Sequence, residues 1–199
     1  MMDRESVISD IVSSRKKDNP DSVSVVNALL SWEKQNRKTK ELSSLQNLIG
    51  IWNLRFITGT KNTRKKAGVI LGAGKYLPQF IKIQIKYESE YPESNLGKVI
   101  NSVRLPFILL SLTGPIEFFP KLGILAFDFT YLRFSIGSVN IYQGYVKNGQ
   151  QRETEFARSK LKERAFFKYF LIEENAIAAR GKGGGLALWS REKVKIDAL

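Results

Sequence analysis

The chain has 199 residues, of which 43% are hydrophobic and 26% charged, a composition typical of one folded domain with a sizeable core. It contains no cysteine and no histidine, which excludes disulfides, thiolate metal sites, a cysteine nucleophile and the Ser-His-Asp arrangement. Its formal net charge of +13 favours an anionic partner, either nucleic acid or lipid headgroups.

The N-terminal residues predict helices. An apolar face around Ile11 indicates a first helix, and Asp21 is a candidate N-cap for a second helix that carries Leu29 and Leu30 on one side. We therefore expect residues 1–47 to form a helical segment that packs on the domain that follows.

We expect no targeting segment at the start of the sequence and no membrane-spanning segment within it. Asp3 and Glu5 are mixed with basic residues at the start, so we expect neither a signal peptide nor a transit peptide. The longest apolar stretch, residues 105–119, is interrupted by Pro106 and Pro115 and is too short to span a bilayer.

From Gly50 onward the apolar residues recur with a period of two, which indicates β-strands. The predicted strands are residues 52–56, 81–87, 99–105, 107–112, 125–131, 166–172, 176–180 and 186–190. Many short strands separated by turns favour an antiparallel sandwich or barrel, and periodicity does not decide between them. Residues 147–168 fit either a charged hairpin or a short helix, and we favour a solvated loop-and-strand region.

Two motifs at the ends of this strand-rich region carry a family resemblance. Gly50-Ile51-Trp52 follows a predicted helical turn and opens the first strand, which is the Gly-x-Trp placement of lipocalin-like barrels. Residues 173–189 form an acidic turn, a short strand ending in Arg180-Gly181, a glycine-containing turn and a final apolar strand. Together these ends resemble the barrel of the plastid lipid-associated (fibrillin) family.

The resemblance implies a mainly β fold: a lipocalin-like antiparallel β-barrel over residues 48–199, preceded by N-terminal helices. It also implies that Arg180 packs on the ring of Trp52 and so closes one end of the barrel. An ion pair of Arg180 with Glu173 or Glu174 is the alternative. The sequence departs from the family at Ile177, where an arginine is often found.

The apolar faces of the strands would line the barrel interior, which could be filled or could hold a small ligand. The predicted lining residues are Trp52, Leu54, Phe56, Ile83, Ile85, Phe127, Phe129 and Tyr131. The resemblance implies non-enzymatic binding of lipids or isoprenoids, such as carotenoids or quinones, with a structural or photoprotective role. It places the protein in the cytoplasm or on the thylakoid surface of a cyanobacterium. We expect no catalytic residue, no metal and no other cofactor.

The positive charge is concentrated after residue 47, where 24 Lys/Arg face 12 Asp/Glu. We predict that an anionic membrane surface is contacted by two clusters: Arg64, Lys65 and Lys66, and Arg158, Lys160, Lys162 and Arg164. Nucleic acid is the alternative partner, weakened because the second cluster contains no aromatic side chain for base stacking. A chromophore-handling barrel similar to the bilin lyases is a further alternative.

Overall fold

A computed structural model of the protein describes residues 11, 19–36, 44–59, 74–78 and 80–192. The helices are α1 (Ser22–Asn36) and α2 (Gly149–Glu155), and single 3-10 turns lie at Leu45–Leu48, Pro120–Leu122 and Phe156–Arg158. The strands are β1 (Gly50–Ile57), β2 (Lys75–Tyr76), β3 (Lys82–Ser89), β4 (Leu96–Arg104), β5 (Ile108–Phe119), β6 (Ile124–Phe127), β7 (Tyr131–Ile136), β8 (Val139–Tyr145), β9 (Ala165–Ile172), β10 (Ala176–Gly181) and β11 (Leu186–Arg191).

Eight of these strands close into an antiparallel β-barrel. They pair in the order β1, β3, β4, β5, β6, β9, β10 and β11, and β11 pairs back with β1. Closure leaves these strands without a free edge along the paired part of the barrel. The prediction of a mainly β, antiparallel barrel is confirmed. Of the two architectures that the strand pattern allowed, the fold is the barrel and not the sandwich.

The barrel interior is packed with large side chains. Trp52, Tyr87, Phe118 and Trp189 are all buried in one apolar cluster with the inward residues of the other barrel strands. Phe167 lies 4.9 Å from Phe127 and 5.5 Å from Trp189, measured between ring centroids. Aromatic contacts of this kind add about 0.5–1.5 kcal/mol each beyond the area that they bury.

Helix α1 packs against the outside of the barrel. Its N-terminus is capped as predicted, because the backbone N–H groups of Val23 and Ser24 each donate to the Asp21 carboxylate at 3.1 Å. Leu29 is fully buried against the outward face of β9, β10 and β11. Leu30 does not share this face as predicted and is 43% exposed.

Half of β5 leaves the barrel and supports a projecting sheet. Its C-terminal residues pair with β6, whereas Ile108 to Thr113 pair with β7, which pairs in turn with β8. We call this sheet, residues 82–84, 101–113 and 131–145, the wing. The six residues of β5 that pair with β7, at about 3.4 Å each, give this part of the sheet a length of roughly 20 Å.

Residues 147–168 contain more helix than we predicted. Helix α2 and the 3-10 turn Phe156–Arg158 occupy the first half, and β9 starts only at Ala165. The helix is fixed to the barrel by Arg152, whose Nε donates to Asp128 at 2.8 Å and whose Nη2 donates to the carbonyl of Phe129 at 2.9 Å. The charge pattern of residues 147–168 was compatible with a hairpin or with a short helix. The ion pair between Arg152 and Asp128 stabilises the helix.

Candidate functional site

A pocket opens where β3 separates from β1. The two strands pair over only four positions, from Gly50–Tyr87 to Asn53–Gln84, and beyond them β1 pairs with β2 instead. The gap between the strands is an open pocket of about 300 Å³. Its lining residues are Ile11, Asn19, Asn53, Leu54, Arg55, Tyr76, Leu77, Pro78, Ile81, Lys82, Ile83 and Glu192.

One wall of the pocket is held by the N-terminal segment. The hydroxyl of Tyr76 donates to the carbonyl of Pro20 at 2.7 Å, and its ring packs edge-on against Phe56 at 5.1 Å. Burial and, to a smaller degree, the charge of Asp21 raise the pKa of Tyr76 to about 12. Tyr76 therefore stays a neutral, partly buried wall residue.

The polar part of the pocket is organised around Glu192. Its carboxylate accepts hydrogen bonds from Lys82 at 2.9 Å, from Gln84 at 3.4 Å and from the amide of Asn53. Burial alone would raise the pKa of Glu192, but the hydrogen bonds from Lys82 and Asn53 and the charges of Lys82 and Arg55 outweigh it and lower that pKa. The pocket thus combines apolar walls with a charged polar cluster that contains Glu192, Lys82 and Arg55.

Next to the pocket, the wing carries an apolar row of residues on one face and a polar row on the other. Directly paired residues share a face of a sheet, so the register defines two cross-strand rows. The row on the pocket side is Ile83, Val103, Leu110, Phe134 and Tyr142. The next row, on the opposite face, is Gln84, Ser102, Ser111, Arg133 and Gln143. The wing is therefore amphipathic, with a half-buried apolar face that starts at the pocket.

Most of the predicted lining residues do not border an open cavity. Trp52, Ile85 and Phe127 are buried in the interior cluster, against which Leu54 and Phe129 pack from partly buried positions. Of the predicted set, Leu54 and Ile83 line the pocket. The open site lies beside the packed interior rather than inside it.

Two predicted lining residues face away from the interior, because a bulge precedes each of them. In β1, Leu54 pairs with Trp189 and Phe56 with the adjacent Leu188, so one extra residue turns Phe56 to the outer face. Between β6 and β7, Phe127 pairs with Ile116 and Tyr131 with Thr113, and again one extra residue intervenes. Tyr131 consequently packs on Tyr145 in the wing, 5.4 Å between ring centroids.

The predicted contact of Arg180 with Trp52 is wrong. Ile177 and Ala179 face the interior, so Arg180 faces outward with Ala178. Its guanidinium donates to the carboxylate of Glu33 on α1 at 2.7 and 2.6 Å, which is also not the predicted alternative partner. This hydrogen bonding is the main reason why the pKa of Arg180 is raised.

The cation over Trp52 is Arg191, whose guanidinium carbon lies 4.0 Å from the ring centroid. Arg191 pairs directly with Trp52 across β1 and β11, and therefore shares its face. Sequence reasoning missed it because the residue lies just beyond the apolar core of the last strand. The feature of the sequence that could have indicated this contact is that Arg191 ends the final strand, which pairs with the strand that carries the Gly-x-Trp motif.

The basic clusters do not form a single surface. Arg158, Lys160 and Lys162 are exposed, whereas Arg164 is 7% exposed and forms an ion pair with Glu117. Arg164 also lies over the Phe156 ring at 4.5 Å, so the prediction that it contacts an external anion is wrong. Arg64, Lys65 and Lys66 lie outside the described residues.

Two comparisons, with protein-family models and with curated proteins, gave no significant match, so the family resemblance stays a prediction. Within the described residues, no helix is long and apolar enough to cross a membrane, and no three acidic side chains gather in a way that could hold a metal ion.

Proposed function

We propose that the protein binds an apolar ligand, a lipid or an isoprenoid, in the pocket between β1 and β3, and that it does so without catalysis. The observation that carries this proposal is the pocket itself: about 300 Å³ in volume, open, and bordered by Leu54 and Ile83 from the inward faces of two barrel strands. Sites for small molecules are typically concave, mainly apolar and equipped with a few polar groups.

The wing offers further apolar surface to a ligand that is longer than the pocket. A chain that fills the pocket at Ile83 can continue along the apolar row through Val103 and Leu110. Each Å² of apolar surface removed from water contributes about 25 cal/mol. An extended acyl or isoprenoid chain fits such a pocket and row better than a compact ligand does.

The polar group of the pocket suits an amphiphile. Glu192 is held by Lys82 and Asn53, while Arg55 adds a second cation to the pocket lining. A hydroxyl or carbonyl headgroup would find both donors and an acceptor there. The family resemblance adds carotenoids and quinones as ligand types, and a structural or photoprotective role at cyanobacterial photosynthetic membranes.

Native purification from a photosynthetic host, followed by organic extraction and mass spectrometry, tests the proposal. We expect a stoichiometric isoprenoid or acyl lipid. Titration with retinol and with cis-parinaric acid, two fluorescent polyenes, should show saturable binding. Ile83→Glu should weaken that binding about tenfold or more, since it places a charge in the apolar part of the pocket.

The matched control is Leu122→Glu, which changes a residue that is 51% exposed in the turn after β5. It should leave the affinity for both polyenes unchanged. A protein that is free of lipid after native purification and binds neither polyene would overturn the proposal. Equal effects of the two substitutions would remove the pocket as the binding site.

A further inference from the structure

We propose that the tip of the wing inserts into the surface of an anionic lipid bilayer. The tip consists of the two neighbouring turns that end the wing, one between β4 and β5 and one between β7 and β8. This inference deepens the proposed function, on which its biological meaning rests, because it identifies the surface that would bring the pocket to its lipid source.

The two turns form one apolar patch. The N–H of Gly137 donates to the carbonyl of Phe107 at 2.7 Å, which holds the turns side by side. Ile108 pairs with Ile136, and Ile136 pairs with Val139. The exposed fractions are 76% for Phe107, 61% for Val139, 46% for Ile136 and 37% for Ile108. Contiguous exposed apolar side chains of this kind mark an interaction site.

The charge of the wing determines the sign of its partner. The wing contains Lys82, Arg104 and Arg133 but no Asp or Glu, and because Lys82 forms an ion pair with Glu192, its excess positive charge is carried by Arg104 and Arg133. Arg104 pairs with Leu109, next to the tip, and Arg133 lies three residues before Ile136 on β7. Apolar side chains at a protruding tip, with cations set back from it, match the acyl and headgroup layers of an anionic bilayer.

Nucleic acid fits this surface less well. Its backbone is bound by cations that follow successive phosphates, and three dispersed cations supply few such contacts. At the tip, Phe107 is the aromatic side chain that could stack on a base, while the exposed residues beside it, Ile108, Ile136 and Val139, are aliphatic. The exposed cations Arg158, Lys160 and Lys162 lie outside the wing.

Vesicle co-sedimentation of the full chain tests the proposal. We expect binding to phosphatidylcholine vesicles that contain about one third phosphatidylglycerol, and weaker binding to phosphatidylcholine alone. The double variant Phe107→Ser/Val139→Ser should reduce binding to the anionic vesicles about tenfold or more. Its matched control, Val23→Ser/Leu122→Ser, changes two residues that are each 51% exposed outside the wing and should bind as the wild type does.

Separate variants test the contribution of the wing cations to binding and the insertion of the tip into the bilayer. Arg104→Gln/Arg133→Gln should weaken binding to anionic vesicles only, whereas Arg158→Gln/Lys162→Gln should weaken it much less. Phe107→Trp should show a blue-shifted emission when anionic vesicles are added, since the indole enters a less polar layer. Circular dichroism and retinol affinity of each variant report whether the barrel and the pocket are intact.

Three results would overturn the proposal: equal losses in the tip and control variants, an unshifted Phe107→Trp emission on sedimenting vesicles, or no vesicle binding by the wild type. Binding of a single-stranded oligonucleotide that the Arg104/Arg133 variant abolishes, with no vesicle binding, would assign the wing to nucleic acid instead. A wild-type protein that binds anionic vesicles, but is free of lipid after native purification and binds neither polyene, would overturn the proposed pocket and leave the tip proposal standing.

Discussion

Arg191 and Trp52 together fix the 3-10 turn Leu45–Leu48 to the end of the barrel. The guanidinium of Arg191 covers the indole ring, and its Nη1 donates to the carbonyl of Ile49 at 2.9 Å. The indole N–H of Trp52 donates to the carbonyl of Leu48 at 2.7 Å. Each side chain thus contacts both the other and the segment that enters β1, which closes this end of the barrel.

Replacing Arg191 should therefore destabilise the whole barrel. We expect Arg191→Leu to lower the free energy of unfolding by about 2 kcal/mol, since it removes a cation over the ring and several hydrogen bonds to backbone carbonyls. Arg191→Lys should lie between this variant and the wild type, because it keeps the charge but not the planar donors. Urea unfolding followed by tryptophan fluorescence measures both. A loss below about 0.5 kcal/mol for Arg191→Leu would contradict this role.

The ion pair of Glu33 with Arg180 should anchor α1 to the barrel. Glu33 is 9% exposed, so removal of one partner leaves a charge in a poorly solvated place. We expect Glu33→Gln and Arg180→Met each to cost about 1–3 kcal/mol, and the double variant to cost clearly less than their sum. Urea unfolding of the four proteins in a double-mutant cycle gives the coupling. Additive losses would show that the two side chains act independently.

The strand pattern of the sequence was enough to predict a mainly β, antiparallel fold, because alternation depends on local residues, but it did not distinguish a barrel from a sandwich. The segments predicted around 81–87, 166–172, 176–180 and 186–190 match β3, β9, β10 and β11 closely. In β3 the inward residues Ile85 and Tyr87 are large and apolar, whereas in β9, β10 and β11 both faces are apolar because α1 covers the outer one. The sheet closes because β1 pairs with β11. Closure was predicted from the family resemblance of Gly50-Ile51-Trp52 and residues 173–189, the motifs at the two ends of the barrel.

The site could be predicted only in part, because bulges and long-range ion pairs have no local signature. The extra residues before Phe56 and Tyr131 reverse the face of each, and they are visible only as register against a partner strand. Arg164 is indistinguishable from Lys162 in the sequence, yet Glu117, 47 residues away, makes it a buried structural residue. In residues 176–180 each face of the strand carries alanine, so the alternation of residue types could not show which face Arg180 occupies.

The hydroxyls of Tyr87 and Tyr169 should be energetically coupled inside the barrel. They lie 2.7 Å apart, both tyrosines are buried, and burial raises both pKa values. Replacing one tyrosine by phenylalanine leaves the other hydroxyl without its partner in an apolar interior. We expect each single variant to lose about 1–2 kcal/mol of unfolding free energy.

The double variant Tyr87→Phe/Tyr169→Phe should be nearly as stable as the better single variant, because it leaves neither hydroxyl unpaired. Thermal and urea unfolding of the four proteins gives the coupling energy. A double variant whose loss equals the sum of both single losses would indicate that the hydroxyls contribute separately.

Glu192 should make the stability of the protein depend on pH in the acidic range. Its folded-state pKa is lowered from the ordinary value of 4.5, so the ionised carboxylate is favoured in the folded protein. The stabilisation is fully present above pH 4.5 and is lost as the pH falls through the lowered folded-state pKa. We expect Glu192→Gln to be less stable than the wild type by about 0.5–1 kcal/mol at neutral pH, since Lys82 and the carboxylate are partly solvated.

This difference between Glu192→Gln and the wild type should shrink progressively below pH 4.5, where the wild-type carboxylate becomes protonated. Urea midpoints measured at a series of pH values check it. Glu90→Gln, which changes an exposed carboxylate outside the pocket, serves as the control and should show a smaller, flatter difference. A difference for Glu192→Gln that stays constant from neutral to acidic pH would mean that Lys82 and Asn53 do not hold the ionised form.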